Sequence, residues 1–248
     1  SRRRFNVAST ASLAGLATAV HTSSSAQAAD SPNEKLGVVV CGVNSRGQAH
    51  LAGFRNDPRA EIRAIVEIDS SVADRVAAKI EKDQGTRPKV YKDVREALES
   101  DDLQIVTCAT PNHWHALIGY WAMQAGKDVY IEKPISHNVH EGRALVEAAK
   151  KYGRMFQTGT QCRSSNGVID LVKFVQGGGI GEVKLARGLC YKRRKSIGPL
   201  GDYSIPDSVD FNLWSGPATH TDPKVTRQKF HYDWHWQRHY GNGDSGNQ

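Results

Sequence analysis

Two rhythms of apolar and polar residues alternate through the first two thirds of the chain. Leu36–Cys41 is a continuous apolar run broken only by Gly37, the pattern of a parallel strand covered on both faces. A turn and a helix of roughly ten residues follow, and Ile62–Ile68 predicts the second strand. Ser70 and Ser71 can cap the next helix, which sets Val72, Val76 and Ile80 on one face at four-residue spacing. Lys89–Tyr91 reads as a short strand, and Asp93 caps a brief helix bearing Val94, Ala97 and Leu98. Leu103–Cys108 predicts another buried strand, residues 112–125 a helix ended by Gly126, and Asp128–Ile131 the next strand. Asn138 with Glu141 three residues later opens a helix in the manner of a capping box. That helix runs to Tyr152 and stops at Gly153. Strands and helices alternating at this spacing predict right-handed βαβ units in a parallel sheet.

From Met155 the rhythm changes. Gly177-Gly178-Gly179 interrupts the chain, Glu182–Cys190 predicts a strand with alternation, and loops rich in Gly, Pro, Asp and aromatic residues follow. The expected architecture is α/β: a doubly wound parallel sheet, then an incomplete α+β domain with a mainly antiparallel sheet. The boundaries fall at residues 1–29 for a leader, 30–154 for the parallel domain and 155–248 for a partial second domain.

The 248 residues carry 33 Lys and Arg against 26 Asp and Glu, a formal charge of +7. Arg2, Arg3 and Arg4 stand in the first 29 residues, which hold no acid; without them 30 basic residues face 26 acidic ones. Lys192–Lys195 is then the one dense basic run, and it reads as a solvated face rather than a nucleic-acid surface. Ser1-Arg2-Arg3-Arg4-Phe5 resembles a twin-arginine export signal, followed by a weakly apolar Val7–Val20 too polar and short to span a bilayer. Ala26-Gln27-Ala28 offers a small-x-small cleavage site, leaving Ala29 as the new N-terminus. A periplasmic or otherwise exported location is therefore expected, with the twin-arginine machinery as a partner that carries the chain folded. The four cysteines have no metal spacing. Cys41 and Cys108 end apolar runs and read as buried thiols, and a Cys162–Cys190 pairing is left open.

Chemistry concentrates at three strand ends. The first turn reads Gly42-Val43-Asn44-Ser45-Arg46-Gly47. It is a dinucleotide fingerprint with Asn44 in place of the second glycine, its glycines letting main-chain N–H groups reach a pyrophosphate at a helix N-terminus. Glu67 lies 20 residues beyond Gly47, where an acid hydrogen-bonds the adenosine ribose. Together they predict a Rossmann domain. A carboxylate at that place repels a 2′-phosphate and favours NAD, while Arg46 leaves NADP open. Thr110-Pro111-Asn112 and His115 follow the fourth strand, where Asn112 and His115 suit polar contacts near the nicotinamide ribose; an ordinary helix start explains the same residues. Glu132-Lys133-Pro134 ends the fifth strand, and a lysine beside a cationic nicotinamide suits proton transfer. A surface lysine in a turn is the bland alternative.

These three clusters resemble the Gfo/Idh/MocA superfamily of glucose–fructose oxidoreductase and inositol dehydrogenase. Phe211-Asn212-Leu213-Trp214-Ser215-Gly216-Pro217-Ala218 is similar to a second-domain segment of its exported members. The resemblance implies an NAD(P)-dependent oxidoreductase that passes hydride between a sugar, polyol or related alcohol and nicotinamide. Lys133 would then be catalytic, and Gly42, Asn44, Ser45, Arg46, Gly47, Glu67, Thr110, Pro111, Asn112, His115, Glu132 and Lys133 would face the cofactor. Family members add an Asp and a His four residues apart on a later helix. Asn247 stands where that Asp is usual, and the His would fall beyond Gln248, so a C-terminally truncated chain, inactive by itself, is expected. A homo-oligomer is expected of the full-length protein.

Arg163, Trp214 and Asn247 are the candidate substrate residues, and Gln161, Tyr191, Trp234 and Trp236 suit sugar faces and hydroxyls. His231, His235 and His239 recur at four-residue spacing, but no carboxylate or Cys completes a metal pattern and the surrounding aromatics favour a loop, so no metal is expected. Two other functions fit the same sequence. One is a glycosidase of the same superfamily that oxidises its substrate transiently with bound NAD, a group whose motif commonly lacks the lysine of Glu132-Lys133-Pro134. The other is a non-catalytic dinucleotide- or sugar-binding protein.

Overall fold

The computed structural model describes residues 35–189, 195–218, 224–243 and 246. The leader reading, the basic run at 192–194, Cys190, Tyr191 and Asn247 lie outside the described residues. Six parallel strands form one sheet: β1 (Leu36–Cys41), β2 (Ala60–Val66), β3 (Lys89–Tyr91), β4 (Ile105–Cys108), β5 (Asp128–Glu132) and β6 (Phe156–Gly159). Their order is β3-β2-β1-β4-β5-β6, the doubly wound arrangement that reverses direction between β1 and β4. Register pairs Cys41 with both Val66 and Cys108, so the ends of β1, β2 and β4 meet at one edge.

The helices follow the sequence signals closely. They are α1 (Gly47–Arg55), α2 (Ser70–Gln84), α3 (Val94–Leu98), α4 (His115–Gln124, entered through a 3-10 turn at Asn112–Trp114) and α5 (Val139–Tyr152). Asp93 caps α3 by accepting the Arg95 N–H. At the start of α5, Asn138 accepts from Glu141 N at 3.0 Å and Glu141 accepts from His137 N at 2.8 Å. Val72, Val76 and Ile80 are buried under one face of the sheet with Val38, Val40 and Ile65. Val39, Val106 and Ile131 pack with Ile118, Met123 and Leu145 on the other. Two thiols end inside this core: burial pushes Cys41 well above its ordinary pKa and Cys108 up to about 11.

Several expectations of detail need correction. The second strand ends at Val66 rather than Ile68, because Glu67, Ile68 and Asp69 leave the ladder to build the turn into α2. The cap of α2 is Asp69, which accepts from Ser71 N, rather than either serine. The antiparallel sheet beyond residue 155 is not formed among the described residues. Phe156–Gly159 instead pairs parallel with β5, so the first sheet runs past the boundary read at 154. Residues 182–189 form no strand: among the described residues no strand pairs with them, and Val183, Leu185 and Leu189 stand exposed. The helix α6 (Asn166–Gln176) is likewise exposed along its length.

The rest of the chain returns to the first domain. Short helices α7 (Phe211–Ser215) and α8 (Phe230–Asp233) build a third apolar cluster of Val209, Trp214, Val225, Phe230 and Tyr240. An antiparallel bridge, Asp69 to Val209, joins this segment to the turn after β2.

Candidate functional site

All the glycine-turn chemistry depends on a close approach. Gly42 has a φ of +76°, and a Cβ there would lie 2.9 Å from Thr110 N. A Cβ on Gly47 would lie 1.9 Å from the Gly42 carbonyl oxygen. Only glycine at both places lets the turn fold under the N-terminus of α1 and against the loop after β4. The strand ends then surround one cavity of about 500 Å³, a volume typical of cofactor sites. Gly42, Asn44, Ser45 and Arg46 line it from the first turn and Glu67 from the turn just after β2. Thr110, Pro111, Asn112 and His115 line it from β4, and Glu132, Lys133 and Pro134 from β5. Gly47 sits behind this wall. Trp214 lines the cavity from the C-terminal segment, whereas Arg163 is exposed in the 3-10 turn Gln161–Ser164 and is not among the lining residues.

Glu67 is turned toward the glycine turn. Its Oε2 accepts from Val43 N at 2.9 Å, and Oε1 accepts from Ile68 N at 3.0 Å and Asp69 N at 3.3 Å. Burial raises its pKa against the pull of these three N–H groups. The carboxylate therefore braces the turn from below as well as facing the cavity.

Glu132 behaves oppositely. Its Oε1 accepts from Arg46 Nε at 2.7 Å and Gln161 Nε2 at 2.7 Å, and His50 Nε2 lies 3.1 Å away. Burial disfavours the charge, but the hydrogen bonds from His50 and Arg46 and the arginine charge outweigh it, holding the carboxyl down to about 2. His50 is itself buried, and its Nδ1 meets the Thr107 hydroxyl. Lys133 N donates to Glu132 Oε2 at 3.3 Å, and the Lys133–Pro134 peptide is cis.

His115 ties two loops together. Its ring nitrogens face the Pro134 and Thr110 carbonyls at 2.6 and 2.9 Å, and burial lowers its pKa despite both. His113, held down to about 4 by burial, faces the Tyr240 carbonyl at 3.2 Å and the Trp214 carbonyl at 2.9 Å. Trp214 O also accepts from Trp114 Nε1 at 2.9 Å. A neutral His113 ring has one N–H, so a proton on Nδ1 leaves neither carbonyl without a donor. Asn112 Nδ2 donates to Asn242, whose own Nδ2 reaches the His137 carbonyl at 2.9 Å.

The C-terminal segment completes the wall with Trp214, His231, Tyr232, Trp234 and His235. Trp214 packs edge-on to Tyr240 with ring centroids 4.5 Å apart. His231 pairs with Asp69, and His235 Nδ1 meets the Tyr232 carbonyl. Among the described residues, no three His, Cys, Asp or Glu side chains gather to hold a metal. His235 Nε2 is buried and has no hydrogen-bond partner among the described residues. The cradle that only Gly42 and Gly47 allow, at the N-terminus of α1, fits the diphosphate of a dinucleotide. Sequence reasoning missed His50, Thr107 and the capping role of Asp69. The one local signal for His50 was its place three residues after Gly47, on the inner face of α1.

The family model described as an oxidoreductase family with an NAD-binding Rossmann fold, GFO_IDH_MocA, matches residues 36–160. Two Shewanella proteins are each 31% identical over 169 residues, covering 60% of this chain and 37% of theirs. One is a glycosyl hydrolase family 109 protein of Shewanella sp. (strain W3-18-1), the other an alpha-N-acetylgalactosaminidase of Shewanella oneidensis. The crystal structure of an NAD binding oxidoreductase from Klebsiella pneumoniae is similar with a TM-score of 0.52 and 28% identity, over 60% of this chain and 40% of that one. A myo-inositol 2-dehydrogenase from Lactobacillus plantarum shares the fold at a TM-score of 0.55 and 20% identity, over 60% and 43% of the two chains. The chain thus spans less than half the length of each of these relatives. It belongs to the GFO_IDH_MocA oxidoreductase family and carries that family's NAD-binding Rossmann fold.

Proposed function

We propose that the full-length protein is an exported NAD(P)-dependent oxidoreductase acting on a sugar, polyol or related alcohol. One observation carries the reading: Lys133 lines the same cavity as the Gly42–Arg46 turn. A dinucleotide held at that turn would span toward the lysine at the neighbouring strand end. When bound, the nicotinamide supplies the acceptor or donor for the substrate hydride. The chain's own residues do the rest. The glycine turn and the N-terminus of α1 hold the diphosphate, Glu67 faces the adenosine ribose, and Thr110 and Asn112 border the opposite end. Lys133 holds or takes the hydroxyl proton at Nζ, with Glu132 fixed beneath it. Trp214 borders the space left for substrate. Ser1–Phe5 supports export, and assembly into a homo-oligomer is part of the same proposal.

A second reading, a glycosidase using bound NAD for transient oxidation, is favoured by the names of the Shewanella relatives. Assaying the full-length protein for NADH formation on a panel of sugars and polyols, and for phenol release from aryl glycosides, separates the two. NADH formation supports the dehydrogenase. Phenol release without net NADH overturns it in favour of the glycosidase.

A further inference from the structure

A buried polar cluster borders the cavity at Glu132. It joins α1 to the ends of β4, β5 and β6 through a single carboxylate oxygen. Glu132 Oε1 receives Arg46 Nε and Gln161 Nε2 and meets His50 Nε2, while His50 Nδ1 meets the Thr107 hydroxyl. The ionised carboxylate can only accept, so Nε2–H donates to Glu132, and in the neutral ring Nδ1 then accepts from the Thr107 O–H. His50 and Thr107 are both buried, so neither bond competes with water. The ring also meets Tyr130 edge-on with centroids 5.1 Å apart, which holds its plane.

The consequence reaches two functional atoms. Arg46 is held by its Nε edge, half of its side chain is exposed, and among the described residues its Nη groups have no protein partner. Arg46 also lines the cavity beside the glycine turn, so its two Nη groups are available to a phosphate oxygen there. On its other side, Glu132 Oε2 takes the Lys133 N–H. We propose that His50 is a positioning residue. Through Glu132 it aims Arg46 at the dinucleotide diphosphate and sets the main chain of Lys133, so cofactor affinity and lysine placement share one buried support. This rests on the NAD-dependent reading above.

The test is calorimetric titration of the full-length protein with NAD and with ADP-ribose, which keeps the diphosphate and lacks the nicotinamide. His50→Leu is expected to weaken both on the order of tenfold, the loss of one hydrogen bond to a charged group. His50→Gln, whose amide can still donate to Glu132, is expected to recover most of it. In a Glu132→Gln background, His50→Leu should add little further loss, because the two act as a unit. Should His50→Leu not fold, Thr107→Val removes the hydroxyl that orients the ring and is expected to cost about threefold. A folded His50→Leu with wild-type affinities, or the same tenfold loss persisting in the Glu132→Gln background, overturns the inference. So does an unchanged Thr107→Val. A wild-type protein that binds neither ligand overturns the NAD-dependent reading itself, and the inference with it.

Discussion

His231 Nε2 lies 2.9 Å from Asp69 Oδ2, joining positions 162 residues apart. Around that pair, Ser70 N donates to the Ser208 carbonyl at 3.0 Å and Asp69 bridges to Val209. Burial opposes the Asp69 charge, but hydrogen bonds from Ser71 and Ser208 and the nearby His231 hold its carboxyl below the ordinary range. One carboxylate thus caps α2 and fastens the aromatic segment over the end of β2.

Asp69→Ala should therefore destabilise the protein by about 1–2 kcal/mol, since it removes a helix cap along with the pair. His231→Ala should cost less, under about 1 kcal/mol, because its side chain is 39% exposed and an exposed pair is weak. Urea unfolding measures both. A larger loss for His231→Ala would contradict the double role of Asp69.

Acid should act through Glu132. Its carboxyl is lowered from 4.5 to about 2 on folding, so its stabilisation is fully present above the unfolded value and is lost as pH falls through the folded one. Glu67 has the opposite sign: its raised pKa means its ionisation costs stability as pH rises above 4.5. The stability difference between wild type and Glu132→Gln should stay constant above about pH 5 and shrink on acidification toward about pH 2. A difference that stays constant throughout would show that Glu132 is not held by Arg46 and His50.

Two glycines six residues apart should respond in opposite directions. Gly47→Ala places a methyl against the Gly42 carbonyl and should abolish NAD binding. Gly53 sits within α1 with nothing inside 4 Å of a Cβ, so Gly53→Ala should stabilise by about 0.5–1 kcal/mol. Thermal unfolding and NAD titration of the two variants check this.

Where local chemistry decides an outcome, the sequence foretold it. The unbroken run Leu36–Cys41, the caps at Asp93 and Asn138, and the stop at Gly153 were legible because each depends on a few neighbours. The cavity-lining residues at four strand ends were legible for a related reason: a doubly wound sheet brings the ends of its central strands together. What could not be read is non-local. His50 matters through Glu132, 82 residues away, and nothing near either residue announces the partner. Residues 182–189 alternate as a strand does, yet strand formation needs a neighbouring ladder that local pattern does not supply. Ser70 and Ser71 looked like caps, but Asp69 reaches Ser71 N first.

The most direct test pairs two measurements on full-length Lys133→Ala: NAD affinity by titration, and turnover of whichever sugar or polyol the wild type oxidises. Affinity is expected within about threefold of wild type, with turnover reduced by about 100-fold or more, the contribution of a positioned proton-transfer group. Unchanged turnover in Lys133→Ala would contradict this expectation.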